Sequence, residues 1–143
     1  MEGKDVIFID SNYWIYLFDK RTPEHPYIKE HFNLIYNSNE LAVNVVVMIE
    51  VMHYLVKRLG ATLAKEKWDI FSSMELINDD LTYNNLDDNF NELSKYSHLG
   101  IGGRDSTILS FLFQAKIDTI CTHDGSFKKV PNLKVIDPIP DGI

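Results

Sequence analysis

Short runs of β-branched and aromatic residues alternate with longer helix-forming segments along the whole chain. The first run, Val6 to Ile9, is continuously apolar, which is typical of a central strand buried on both faces. Parallel strands need long crossover connections, usually helices, so the alternation predicts an α/β fold built on a parallel sheet. The predicted strands are 6–9, 41–43, 75–77, 119–121 and 134–136.

The segments between these runs carry helix signals. Asn44 is a good N-cap residue for the helix that follows it, and Gly60 is typical of a helix end. Within residues 83–99, the spacing predicts an amphipathic helix with Leu86, Phe90, Leu93 and Tyr96 or Ser97 on one side. The predicted helices are 12–18, 24–38, 45–59, 61–73, 83–99 and 104–116.

Length, cysteine content and charge set the class of protein. The 143 residues match the size of one domain, so we expect a single domain over residues 1–143. The lone Cys121 excludes an internal disulfide. No secretory leader is visible and no apolar run reaches the roughly 18 residues of a membrane helix, so we expect a soluble, cytoplasmic protein that does not enter a membrane.

The net charge of −7 argues against a protein that coats nucleic acid, because such proteins carry a basic surface. It does not argue against an enzyme that meets nucleic acid through bound cations.

Two predicted strands each deliver an aspartate to the same edge of the sheet. Asp10 directly follows the first strand, and Asp124 lies just past the strand 119–121. Ligands of open α/β sheets bind outside the carboxyl ends of the strands, which makes both residues candidates for a site. Asp is also common in turns and at helix N-caps, so a purely structural role is the alternative for each.

Two further acids lie on apolar helix faces. Glu50 shares its face with Val46, Val47 and Tyr54, so it is expected to face inward or into a cleft, where an unpaired Glu is rare. The alternatives are a buried ion pair and a position at the edge of the apolar face, from which the carboxylate reaches solvent. Asp105 lies among isoleucine and leucine residues, although its place in the first helical turn also suits an acid on electrostatic grounds.

Four carboxylates in one place repel one another, and a divalent cation resolves this conflict. Oxygen ligands of this kind suit Mg²⁺ or Mn²⁺. The sequence contains neither a CxxC nor an HExxH motif that would favour another metal. His53 and His123 neighbour two of the acids, but each is expected to be a surface or capping residue.

The order of these residues resembles the PIN-domain ribonucleases, and in particular the small VapC-type toxins of toxin–antitoxin pairs. The resemblance covers nearly the whole chain and rests on "FIDSNYWIYLF", "GGRDSTILSFL" and "THDGSFKKVPNLKVIDP". It implies a Rossmann-like parallel sheet of about five strands with helices on both faces, Mg²⁺ or Mn²⁺ as cofactor, and hydrolysis of single-stranded or loop RNA. It also implies a homodimer and a small antitoxin partner that presses an Arg or Lys into the acidic cleft.

The resemblance assigns roles to individual residues. The metal-binding and catalytic acids of the family correspond to Asp10, Glu50, Asp105 and Asp124, with Asn12 and Thr122 as supporting polar residues. Glu30 and Glu40 also lie in the first half of the chain, but neither occupies so apolar a face as Glu50. Ser126 departs from the family pattern, which often has another Asp there.

Three other functions stay open at this stage. The first is a housekeeping RNA-processing nuclease of the same family, and the second is a PIN-like module that binds RNA or protein without cleaving. The third is a phosphohydrolase of the haloacid dehalogenase type, although Asn12 stands where that family has its second Asp. For an RNA substrate, the candidate phosphate-binding side chains are Lys57, Arg58, Lys65, Lys67, Arg104, Lys128 and Lys129.

Overall fold

A computed structural model describes residues 3–143 as an α/β fold with five parallel strands in the order β3-β2-β1-β4-β5. This confirms the predicted parallel sheet. The observed bounds of the strands agree closely with the predicted ones, except that β3 begins two residues later than expected. The strands are β1 Val6–Ile9, β2 Glu40–Asn44, β3 Ile77–Asp79, β4 Thr119–Cys121 and β5 Lys134–Ile136.

The shift of β3 has a simple physical reason. This strand lies at the edge of the sheet, where Ile77 pairs with Ala42 and Asn78 with Val43. Two of its three residues are exposed, so little apolar burial fixes the register of the pairing. The apolar pattern that located the central strands is therefore missing from β3.

Within residues 3–143, six α-helices flank the sheet on both faces, as predicted. Helices α1 to α4 pack as one group, and α5 packs against α6. The bounds are α1 Ser11–Phe18, α2 His25–Ile35, α3 Val45–Leu59, α4 Ala61–Ser73, α5 Leu86–Tyr96 and α6 Gly103–Ala115.

Two predicted helices are shorter than expected. Helix α2 ends at Ile35 and is followed by a turn, and the segment 83–99 contains a 3-10 turn on each side of α5. The predicted apolar side of α5 is buried only in its second half: Leu86 is 47% and Phe90 66% exposed, whereas Leu93 is half-buried and Tyr96 is buried. Asn89 is buried as well.

An aromatic cluster fills the core beside β1. Trp14 donates from Nε1 to the Ile9 carbonyl at 3.2 Å, and its ring lies 4.6 Å from that of Phe71. Tyr13 and Trp14 are both fully buried. Both rings therefore serve to fix α1 against the sheet.

None of the helices within residues 3–143 combines the length and the apolar character required to cross a bilayer.

Candidate metal and nuclease site

The acidic residues gather at the carboxyl ends of β1 and β4. Strand β1 is central: the chain extends the sheet from β1 to β2 and β3 on one side, then returns to add β4 and β5 on the other. The gap between β1 and β4 is therefore the topological switch point, where open α/β sheets bind ligands. Asp10 follows β1 directly, and Thr122 follows β4.

Asp10 is held rigidly at the bottom of this gap. Its side chain is 1% exposed, and Oδ1 accepts a hydrogen bond from the Ser11 backbone amide at 2.7 Å. The Thr122 hydroxyl donates to the other carboxylate oxygen, Oδ2, also at 2.7 Å. Asp10 is thus the N-cap of α1, as the structural alternative proposed, and it also presents a carboxylate to the cleft.

The guanidinium of Arg104 lies between three of the four predicted acids. Its Nε donates to Glu50 Oε1 at 2.7 Å, and its Nη1 donates to Asp105 Oδ1 at 2.7 Å. Its Nη2 donates to Asp10 Oδ1 and, at 3.0 Å, to the Ser11 hydroxyl. We name this arrangement of Asp10, Glu50, Asp105 and Arg104 the Arg104 cluster.

The protonated state of Arg104 is strongly favoured in this setting. Burial alone would lower the pKa of the guanidinium, because a charge loses its hydration. The charges and hydrogen bonds of Asp10 and Glu50 outweigh that cost and raise the pKa of Arg104 above its usual value. The residue is therefore a fixed cation.

Helices α3 and α6 bring Glu50 and Asp105 to this cation. Glu50 lies in the second turn of α3, and its side chain is 36% exposed toward the cleft. Asp105 lies in the first turn of α6, where its Oδ2 accepts from the Gly102 amide at 3.2 Å. Glu50 is therefore ion-paired, as one alternative proposed, but the pair is partly exposed and not buried. Asp105 makes the contact at the helix start that its own alternative proposed.

Asp124 is connected to the cluster indirectly. Its side chain accepts from the Ser126 amide at 2.9 Å and caps the 3-10 turn that follows β4. Its backbone amide donates to the Thr122 hydroxyl at 3.0 Å, and that hydroxyl contacts Asp10. The structure therefore gathers three of the predicted acids around one cation and places Asp124 on the adjoining turn, without contact to Arg104.

Asn12 and Thr122 connect the ends of β1 and β4. Asn12 Nδ2 donates to the Thr122 hydroxyl at 3.2 Å, and its Oδ1 accepts from the His123 amide at 3.2 Å. The Thr122 hydroxyl thus accepts two hydrogen bonds and donates one, to Asp10. Both residues orient the carboxylate of Asp10.

Sequence reasoning did not identify the residues that align the two acidic helices. Asn44 caps α3 by accepting from the Val47 amide at 2.9 Å, and its Nδ2 donates to the Thr107 hydroxyl on α6 at 3.1 Å. The same hydroxyl donates to the Arg104 carbonyl at 2.7 Å. Asn44 was predicted as a helix cap, but nothing in the sequence indicated its second contact.

Arg104 was expected to bind substrate phosphates, not to lie among the acids. One signal for its actual place is present in the sequence: a cation in the first turn of a helix opposes the helix dipole, so it needs acidic partners nearby. Of the other basic candidates, Lys128 is paired with Asp137 at 3.1 Å and Lys65 with Asp69.

An open groove of about 610 Å³ runs along α3 beside Glu50, and its lining includes Ser11, Lys57 and Arg58. Lys57 and Arg58 are both exposed. The groove therefore combines an acidic end with a basic end, which suits a ligand that carries phosphates.

The donor set of the cleft fits a hard divalent cation. All three converging side chains present carboxylate oxygens, the ligands that Mg²⁺ and Mn²⁺ prefer, and a positive charge already lies between them. Over residues 3–143, no group of three or more His, Cys, Asp or Glu side chains is arranged to hold a metal ion as it stands. The three carboxylates of the Arg104 cluster each contact the guanidinium.

Comparisons with known proteins identify the family and the fold. A family model described as PIN domain matches residues 7–133. No curated protein has a matching sequence.

Several solved structures share the fold at low sequence identity. The VapBC2 complex from Rickettsia felis, bound to a DNA fragment from its promoter, contains a chain with a TM-score of 0.72 and 22% identity; the match covers 92% of this chain and 98% of that one. VapC20 from Mycobacterium tuberculosis, a toxin that cleaves the sarcin-ricin loop, has a TM-score of 0.73 and 18% identity over 85% of this chain and 92% of the toxin. A DNA-bound VapBC from Salmonella typhimurium has a TM-score of 0.66 and 15% identity over 94% and 98%.

Proposed function

The chain belongs to the PIN-domain family, and from this membership and the acidic cleft we propose that it is a divalent-metal-dependent endoribonuclease. The observation that carries the proposal is the convergence of Asp10, Glu50 and Asp105, which lie far apart in the sequence, on one cation at the switch point of the sheet.

Asp10, Glu50, Asp105 and Asp124 are the residues proposed to hold Mg²⁺ or Mn²⁺. When bound, such an ion supplies Lewis acidity that activates a water nucleophile and stabilises charge on the scissile phosphate. Thr122 and the Ser11 amide fix the carboxylate of Asp10, so its oxygens need little rearrangement. Asp124 would turn from its own loop toward Asp10, a movement that breaks one hydrogen bond to the Ser126 amide.

The groove along α3 is the proposed path of the RNA strand. Lys57 and Arg58 lie at its far end and would neutralise phosphates that flank the cleavage point. The acidic end would exclude the RNA backbone until cations fill it. The proposed substrate is single-stranded or loop RNA, since a bound strand must place one phosphate at the narrow edge of the sheet.

The physiological role proposed here is that of a VapC-type toxin in the cytoplasm, restrained by a small antitoxin. The support is the fold shared with the toxin chains of VapBC complexes along almost their full length. A homodimer is proposed as well, through the exposed apolar side of α5 that carries Leu86 and Phe90.

The proposed activity is tested by incubating the pure protein with a pool of RNAs. We expect cleavage in Mn²⁺, none after addition of EDTA, and none by Asp10→Asn in Mn²⁺. Asp141→Asn, at an exposed position, is the matched control and should cleave like the wild type. Equal cleavage by Asp10→Asn, or cleavage that persists in EDTA, would refute the proposed site. RNA binding without any cleavage would favour a non-cleaving PIN module.

The toxin role is tested separately by expression of the chain alone in bacteria. We expect growth arrest with the wild type and normal growth with Asp10→Asn. Unchanged growth with an enzyme that cleaves RNA in vitro would favour a housekeeping nuclease.

A further inference from the structure

The position between the three carboxylates is filled by the chain's own cation. We propose that Arg104 is a built-in counterion, which neutralises the cleft in the metal-free protein and must leave before a divalent cation binds. The inference rests on the proposed function, because it concerns the same cation site. If Arg104 has this role, the affinity of the protein for a divalent cation depends on how strongly the Arg104 guanidinium competes for the same carboxylates.

The contacts of the guanidinium match those of a counterion. A guanidinium has five N–H donors, and four of them are used here: one from Nε, one from Nη1 and two from Nη2. The acceptors are Asp10, Glu50, Asp105 and the Ser11 hydroxyl, from three separate parts of the chain. Every acid of the cluster therefore directs one oxygen at Arg104.

The single charge of Arg104 neutralises the three carboxylates only in part. One positive charge faces three carboxylates, whereas a divalent ion would bring twice the charge to the same oxygens. Arg104 also lies in the first turn of α6, where the helix dipole opposes a cation. Arg104 is thus strongly attracted to the carboxylates but replaceable by an ion of higher charge.

The side chain has room to leave. It is 28% exposed, and all four of its hydrogen bonds go to side chains instead of the backbone. Rotation about its flexible stem would release the three carboxylates without any change in the helices. The long stem of Arg would then place the guanidinium in solvent beside the cleft.

The release of Arg104 is measured directly by NMR of the arginine Nε–H groups in the intact protein. The chain contains three arginines, so the spectrum is simple, and Arg104→Lys assigns the signal. On titration with Mg²⁺ we expect the Arg104 signal to shift and lose protection from solvent exchange. The signal of Arg21, whose Nε donates to Asp19 at 2.9 Å, is the internal control and should not move. An unmoved Arg104 signal at saturating Mg²⁺ would overturn the proposal.

The competition is measured by Mn²⁺ binding with calorimetry. Removing a charged competitor that makes several charge-assisted hydrogen bonds should raise the Mn²⁺ affinity of Arg104→Gln about tenfold or more. Arg104→Lys should be intermediate, and Arg21→Gln should equal the wild type. In metal-free buffer, Arg104→Gln should melt at a lower temperature than the wild type. Mn²⁺ should raise the melting temperature of Arg104→Gln by more than it raises that of the wild type.

The outcomes separate this inference from the proposed function. Equal or weaker Mn²⁺ affinity in Arg104→Gln, with Mn²⁺-dependent cleavage by the wild type, would contradict the counterion role alone. Absence of Mn²⁺ binding in every variant would contradict both.

Discussion

Two arginines of this protein bind buried aspartates, with very different consequences. Arg21 pairs with Asp19 through Nε at 2.9 Å and Nη2 at 3.1 Å, while the Tyr54 hydroxyl donates to the same carboxylate at 2.7 Å. Arg21 also donates to the Arg58 carbonyl at 3.0 Å, so the group connects the end of α1 to the end of α3. One cation matches one acid, and the result is a structural connection.

The Arg104 cluster has the opposite balance. Three carboxylates converge on one guanidinium, and all of its partners are side chains. A surplus of negative charge near a buried aspartate has no structural benefit, because like charges repel. The matched pair of Arg21 and Asp19 maintains the fold, whereas the excess of carboxylate around Arg104 supports the proposal that this cleft receives another cation.

The largest expected effect is on catalysis, through Asp10→Asn. Removing a proposed metal ligand should lower RNA cleavage by about 10³-fold or more, since the acids of such a site act as a unit. Thermal stability in metal-free buffer should change little, because an amide oxygen can still accept from the Ser11 amide. Cleavage rates and melting curves measured on the same preparation check this. If Asp10→Asn unfolds, Asp10 is required for the fold, as Asp19 is expected to be, and its role in catalysis is not supported.

The next effect is on stability, through Asp19→Ala. Loss of hydrogen bonds to a buried carboxylate should lower the free energy of unfolding by about 2 kcal/mol, measured by urea denaturation. The control is Asp69→Ala, which removes an exposed pair with Lys65 and should cost no more than about 0.5 kcal/mol. Mn²⁺ affinity of the folded Asp19→Ala protein should be unchanged. A changed Mn²⁺ affinity would contradict the distinction between the structural pair of Asp19 and Arg21 and the Arg104 cluster.

Acid should weaken the structural pair in a defined pH range. The hydrogen bond from Arg21 holds the pKa of Asp19 at about 2, below its usual value of 3.8. A carboxyl whose pKa is lower in the folded state stabilises the fold above its unfolded pKa and loses that contribution as the pH falls. We therefore expect the stability difference between wild type and Asp19→Asn to shrink from about pH 4 to pH 2. A constant difference in urea unfolding over that range would contradict the assignment.

The smallest expected effect is that of Thr122→Val. This change keeps the shape of the side chain but removes the hydroxyl that donates to Asp10 at 2.7 Å. Cleavage should fall about tenfold, as is typical for residues that orient metal ligands. Thr122→Ser retains the hydroxyl and should recover most of the activity. Equal loss in both variants would indicate that packing, and not the hydrogen bond, matters here.

Much of the fold could be predicted because central parallel strands must be apolar on both faces. The runs at β1 and β4 and the cap at Asn44 therefore fixed their elements closely. The predicted bounds of the edge strand β3 and of the helix in the segment 83–99 were less accurate, since exposed segments carry little periodic apolar signal. The exposure of Leu86 and Phe90 could not be recognised, because apolar residues at helical spacing look the same in the sequence whether they are buried or exposed.

The candidate site was partly predictable for the same kind of reason. Strand ends located Asp10, and apolar helix faces located Glu50 and Asp105, which meet in the structure. The central place of Arg104 was not predicted, since its partners come from segments distant in sequence. The orientation of the Asp124 side chain toward its own turn was not predictable either, because the sequence is compatible with a rotamer that faces the turn and with one that faces the cleft.

The most direct test is anomalous diffraction from crystals soaked in Mn²⁺. The account predicts an anomalous peak bound by the carboxylate of Asp10 and by acids of the same cleft, with the Arg104 guanidinium displaced from its three partners. An empty cleft that still holds the guanidinium, in crystals of a protein that cleaves RNA only with Mn²⁺, would contradict it.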